Sequence, residues 1–171
     1  MSWDKALLHF TLLQKKHSFV WLVEDDVFIP SVQAFRSLHQ LYSNTSDLIT
    51  AHHDLNLLGD ASYWHWPLAV GKFPPPWALS STNAVGLSRR MLTAAYDVIR
   101  WIGEVPFHEY FFNTLAMQLN FNIVKPTELN RIAHVGYTPF EEVSKKPNNF
   151  WHPLKNFPTH KQWHEKLVSF S

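Results

Sequence analysis

A chain of 171 residues falls within the span of one domain, and 46% hydrophobic against 17% charged residues exclude a disordered segment. The 15 Lys+Arg and 14 Asp+Glu leave a net charge of +1, so no basic excess supports nonspecific nucleic-acid binding. With no cysteine, disulfide scaffolds, zinc ribbons, iron–sulfur sites and cysteine nucleophiles are excluded, and any metal must be held by oxygen or imidazole. One excess stands out: 15% of the residues are aromatic, with 8 Trp and 13 Phe beside 11 Pro and only 5 Gly, which makes a stiff chain.

Trp3, Leu7, Phe10 and Leu13 recur at helical spacing and predict a helix from about residue 3 to Lys16. Asp4, Lys5, His9 and Gln14 interrupt that stretch, so it carries no secretory leader, and a cytoplasmic location is expected. Phe19-Val20-Trp21-Leu22-Val23 is the longest apolar run, far below the roughly 18 residues that a membrane span needs. It reads as a strand covered on both faces and ends abruptly in Glu24-Asp25-Asp26. Pro30-Ser31 opens a helix with Val32, Phe35, Leu38 and Tyr42 along one face, closed by residues 43–46. Leu48-Ile49-Thr50-Ala51 is a short strand.

Residues 53–77 hold Tyr63-Trp64-His65-Trp66-Pro67 and Phe73-Pro74-Pro75-Pro76-Trp77, an ordered long loop rather than a helix or a free linker. After an extended stretch over 78–87, Ser88 caps a helix through Met91, Ala95, Val98 and Trp101 to a stop at Gly103. Pro106 starts another helix bearing Phe111, Leu115 and Leu119, followed by strand-like residues 121–124 and an extended piece at 132–135. The tail is irregular over 136–157, and Thr159 caps a last helix through Trp163 and Leu167. Strands alternating with helices make this a single α/β domain over 1–171, with a terminal helix at 158–171.

Side chains alternate along a strand, so Glu24 and Asp26 project to one side of its end and Asp25 to the other. Carboxylates crowded there repel one another unless a cation or hydrogen bonds satisfy them. The carboxyl ends of strands are where open α/β sheets bind ligands, and a hard divalent ion shared between carboxylates and phosphates suits this triplet. A solvated acidic turn capping the next helix is the alternative. His160 and His164 share a helix face, but the glutamate of a zinc-protease motif is absent between them, which leaves two surface imidazoles. Neither G-x-S-x-G, a P-loop nor G-x-G-x-x-G occurs.

Residues 19–30, the apolar strand running into Glu24-Asp25-Asp26, resemble the DxD region of GT-A glycosyltransferases. Ser80-Ser81-Thr82-Asn83-Ala84-Val85-Gly86-Leu87-Ser88-Arg89-Arg90 is similar to their later strand-to-helix segment, His108-Glu109-Tyr110-Phe111-Phe112 to their acidic segment, and Trp151-His152-Pro153-Leu154-Lys155 to their C-terminal histidine segment. The resemblance covers roughly residues 17–156. It implies a GT-A-like mixed sheet with flanking helices, lacking the usual N-terminal nucleotide-binding half, and a transferase moving a sugar from a nucleotide-diphosphate donor to a hydroxyl acceptor such as a glycan. It further implies Mn²⁺ or Mg²⁺ on Asp26 and His152. Glu24 and Asp25 would serve the metal's water shell or the donor's hydroxyls, Lys155 its diphosphate, and Glu109 would be the base of an inverting reaction.

Each residue also has a plainer role. Glu109 at a helix start favours the helix dipole, and His152, Lys155, Arg89 and Arg90 could be surface groups. His52-His53-Asp54 could line the same cleft. A noncatalytic carbohydrate-binding module, with Trp64, Trp66, Trp77 and Trp151 stacking on sugars, and a metal-dependent phosphohydrolase are the competing functions. A missing N-terminal half or a partner chain is the expected protein partner.

Overall fold

The computed structural model describes residues 2–133 and 136–169. Helix α1 (Ser2–Leu8) runs into a π-helical turn over His9–Leu13 and stops short of Lys16. The Arg89 guanidinium explains the stop: it donates to the carbonyls of Phe10, Gln14 and His17, drawing the turn's exposed acceptors onto itself. Arg89 is thus an internal clamp rather than an anion contact. Arg90 lies over the Phe121 ring at 4.0 Å and 3.6 Å from Asp47.

Strand β1 (Phe19–Val23) leads through a turn into α2 (Val32–Tyr42), where Ser31 accepts from the Ala34 N–H as the N-cap. Strand β2 is only Leu48–Ile49. The long loop contains β3 (Asp54–Asn56), which pairs antiparallel with β4 (Trp77–Leu79) in a small second sheet. Strand β5 (Ala84–Ser88) passes into α3 (Arg89–Ile102). Ser88 caps its start, and Gly103, at φ 84°, ends it in the left-handed region. Helix α4 (His108–Gln118), strand β6 (Ile123–Val124), α5 (Phe140–Lys145) and α6 (Phe157–Ser169) follow.

The main sheet has the order β1-β5-β2-β6, with β5 antiparallel to both neighbours and β2 parallel to β6. The fold is therefore mixed α/β. Period-two alternation divides the core between the faces of this sheet. Val20, Leu22, Val85 and Leu87 pack with Met91, Phe111, Phe112 and Leu115, while Phe19, Trp21, Ile49 and Ala84 pack with Phe35, Leu38, Ile132 and Phe150. A third cluster, Phe28, Val143, Trp151 and Trp163, seats α6. Among the described residues no helix is long and apolar enough to cross a membrane.

Several expectations need correction. Trp101 does not join the buried face of α3 but is 77% exposed. Thr159 lies inside α6, and its N–H faces Asn156 Oδ1 at 3.4 Å, so Asn156 stands at the cap position. His164 is exposed and His160 half-buried, and both rings are engaged beyond what a surface position implies: His160 Nε2 donates to the Leu154 carbonyl and His164 Nδ1 to that of Pro30. Trp66, Trp77 and Trp151 are buried, with Trp66 stacked on Trp77 at 5.7 Å, so these rings fill the core and cannot wall a sugar cleft. Of the extended piece expected at 132–135, His134 and Val135 lie outside the described residues.

Candidate functional site

The last hydrogen-bonded pair of the β1–β5 ladder fixes Glu24. Its N–H donates to the Asn83 carbonyl at 2.7 Å, and the Asn83 side-chain amide donates to Glu24 Oε2 at 2.7 Å. The chain then turns, with the Val27 N–H on the Glu24 carbonyl, and this turn swings Asp26 to the same side. The partner segment is far away in sequence. Phe28 and Trp151 exchange N–H···O bonds at 2.8 and 3.0 Å, and the Leu154 N–H donates to the Asp26 carbonyl at 2.7 Å. Those bonds hold residues 151–154 alongside 26–28 and deliver His152.

Ligating atoms of Glu24, Asp26 and His152 lie within 4.8 Å of one another. His152 Nδ1 is 3.0 Å from the Ile132 carbonyl, which can only accept, so Nδ1 carries the proton and Nε2 of the neutral ring presents a lone pair. That lone pair faces Asp26 Oδ1 at 3.5 Å. Oδ1 is buried and, among the described residues, has no hydrogen-bond partner, the separation being long for a good bond. With the ring neutral, two electron-rich atoms stand face to face without a shared proton, an arrangement a cation resolves, and an imidazole fixed through its other nitrogen is the usual support of a metal-ligating histidine. The donor set of two carboxylates and one imidazole fits an oxygen-preferring divalent ion that tolerates nitrogen.

Glu109 sits in the first turn of α4, and its carbonyl accepts the Ser80 N–H at 2.9 Å. Burial pushes its carboxyl above the usual carboxylate range, His65 pulls it back, and Glu24 raises it further. The Glu24 influence puts the two carboxylates in one electrostatic neighbourhood. Asp25 and Lys155 are exposed, and no described contact joins either to Glu24, Asp26 or His152. The group that the structure brings together is thus Glu24, Asp26 and His152, with Glu109 nearby.

Residues 80–83 knit these parts together, which the sequence did not disclose. The His52 N–H donates to Ser80 Oγ and the Ser81 N–H to His52 Nε2, at 3.0 and 2.9 Å, while Thr82 Oγ1 meets His108 Nδ1 at 2.7 Å. With Nε2 accepting, His52 Nδ1 is the protonated nitrogen, and it stands 2.9 Å from Asp54 Oδ2. His53 is held below the ordinary histidine range, first by burial and then by Lys125. The only sequence signal for this hub was its run of small polar residues ending in Asn83.

No family model matches the chain, and no curated protein matches it.

Proposed function

We propose that the chain is a metal-dependent glycosyltransferase of the GT-A type, or the catalytic portion of one. The observation that carries this reading is the buried, unpartnered Asp26 Oδ1 facing His152 Nε2, with Glu24 beside them. Asp26, His152 and Glu24 would hold Mn²⁺ or Mg²⁺, the imidazole favouring Mn²⁺. When bound, the ion supplies positive charge to offset what develops on a departing diphosphate.

The chain's own residues do the rest. Asn83 orients Glu24, and Ile132 keeps the His152 proton on Nδ1. Glu109, half-buried and with its proton affinity raised, accepts the proton of an acceptor hydroxyl, which is the role of a general base in an inverting transfer. Asp25, exposed at the turn, is available to donor hydroxyls, and Lys155, exposed beyond His152, to the diphosphate. The burial of Trp66, Trp77 and Trp151 counts against a module that works by stacking these rings on sugars.

The test is release of nucleoside diphosphate from a panel of nucleotide sugars, with Mn²⁺ or with chelator. Metal-dependent release that Asp26→Ala abolishes and Glu109→Gln lowers by about 10²–10⁴-fold supports the reading. Release of phosphate from simple esters without turnover of any nucleotide sugar would instead favour a phosphohydrolase.

A further inference from the structure

The two edges of the main sheet differ. Strand β6 is two residues long, whereas β1 is five residues, all apolar and with neither charge nor proline. Sheets normally guard such an edge with charge, proline or brevity. Because Glu24 bonds to Asn83 and the Arg89 N–H to the Ser18 carbonyl, the ladder parity turns the backbone groups of Val20 and Leu22 toward β5. Those of Phe19, Trp21 and Val23 therefore face outward, and among the described residues none has a backbone partner.

The flanks of this strand carry opposite charge. Lys15, Lys16 and His17, all exposed, precede it and the exposed Asp25, between Glu24 and Asp26, follows it, so the two ends of the strand carry opposite charge. We infer that the outer edge of β1 pairs antiparallel with β1 of a second copy of this chain, across a two-fold axis at Trp21. In that register Trp21 lies opposite the partner's Trp21, Phe19 opposite the partner's Val23, and Val20 opposite the partner's Leu22. The outward set 19, 21 and 23 meets its own kind, the parity an antiparallel hydrogen-bonded ladder requires. Every cross-strand pair within the strand is apolar, and paired aromatic and β-branched side chains stabilise a ladder.

The exposed basic residues at the start of each copy's strand then lie toward the exposed Asp25 at the end of the other's. Parallel pairing of two copies would set Lys against Lys and Asp against Asp, so the charges select the antiparallel arrangement. A closed two-fold pairing of this kind satisfies both edges at once and does not propagate into fibres. One strand pair makes a small interface, of the class that forms weak, concentration-dependent dimers.

Sedimentation equilibrium tests this without reference to metal or activity. At about 100 µM, well above a dissociation constant of about 1 µM, the wild-type chain sediments at twice its 20.0 kDa mass. Val23→Pro removes an outward N–H without touching the β5 ladder, a position where an edge strand tolerates proline, and yields a monomer with unchanged near-ultraviolet circular dichroism. Lys16→Glu and Asp25→Lys each weaken the dimer about tenfold at low salt and by less at high salt. A wild-type monomer at that concentration overturns the inference and leaves the edge to a strand of another polypeptide. A dimer indifferent to Val23→Pro and to both charge reversals overturns it as well, since another surface then makes the contact.

Discussion

At the scale of single residues, the candidate centre depends on where its protons sit. The Ile132 carbonyl accepts from the Nδ1–H of His152, which in the neutral ring leaves a lone pair toward Asp26, and among the described residues Asp26 Oδ1 has no hydrogen-bond partner. Asn83 plays the matching part for Glu24, so Asn83→Ala should lower Mn²⁺ affinity by about 10–100-fold in a calorimetric titration while leaving the fold intact. Glu109 allows a prediction in pH. Its folded-state pKa is raised, so the folded chain holds this proton more firmly than the unfolded one, and stability falls as pH rises through the raised value. Glu109→Gln should therefore raise the Tm at neutral pH and not in acid, although it removes the base. Transfer by the wild type should fade as pH drops through the same raised value, since a base must be ionised to act. A Glu109→Gln variant that loses Tm at neutral pH, or that keeps full activity, contradicts the assignment.

Elements explain which parts of this were visible beforehand. Strand β1, the helix opening at Pro30-Ser31 and the Ser88 cap rest on local signals, an apolar run cut off by acids, a proline and a hydroxyl just before a helix, and the structure has them at those positions. Ser88 also donates to Asp47 Oδ1, so Ser88→Ala should cost about 1 kcal/mol or somewhat more by chemical denaturation. Gly86 is required by contact rather than by conformation: a Cβ there would lie 2.7 Å from Phe19 Cε1 and 3.2 Å from Ile49 Cβ. Gly86→Ala forces the Phe19 ring aside and should destabilise the β1–β5 pair by about 1–3 kcal/mol. Strand β3 and the Glu24–Asn83 pair were not visible, because each depends on a partner remote in sequence. The tryptophans misled for a related reason. Composition reports how many rings there are, and only packing shows that Trp66, Trp77 and Trp151 lie inside.

At the scale of the whole molecule, the candidate centre is a meeting of distant segments, and α6 holds them together. His160 grips the Leu154 carbonyl, two residues past His152, and His164 grips that of Pro30, four past Asp26, while Trp163 is buried between them against Phe28. Trp163→Ala should cost about 3–5 kcal/mol and weaken Mn²⁺ binding in the surviving folded fraction, because the two ligand segments lose their common backing. The ligand positions read from the sequence were Asp26 and His152; what draws Glu24 in with them is the turn at 24–27 and its Asn83 anchor. The most direct measurement of the central claim is calorimetric titration of Mn²⁺, then of nucleoside diphosphates in its presence, into the wild type and Asp26→Ala. The account predicts one Mn²⁺ per chain, diphosphate binding that requires it, and loss of both in Asp26→Ala. Diphosphate binding that is equal with chelator, or Mn²⁺ binding that survives Asp26→Ala unchanged, would contradict it.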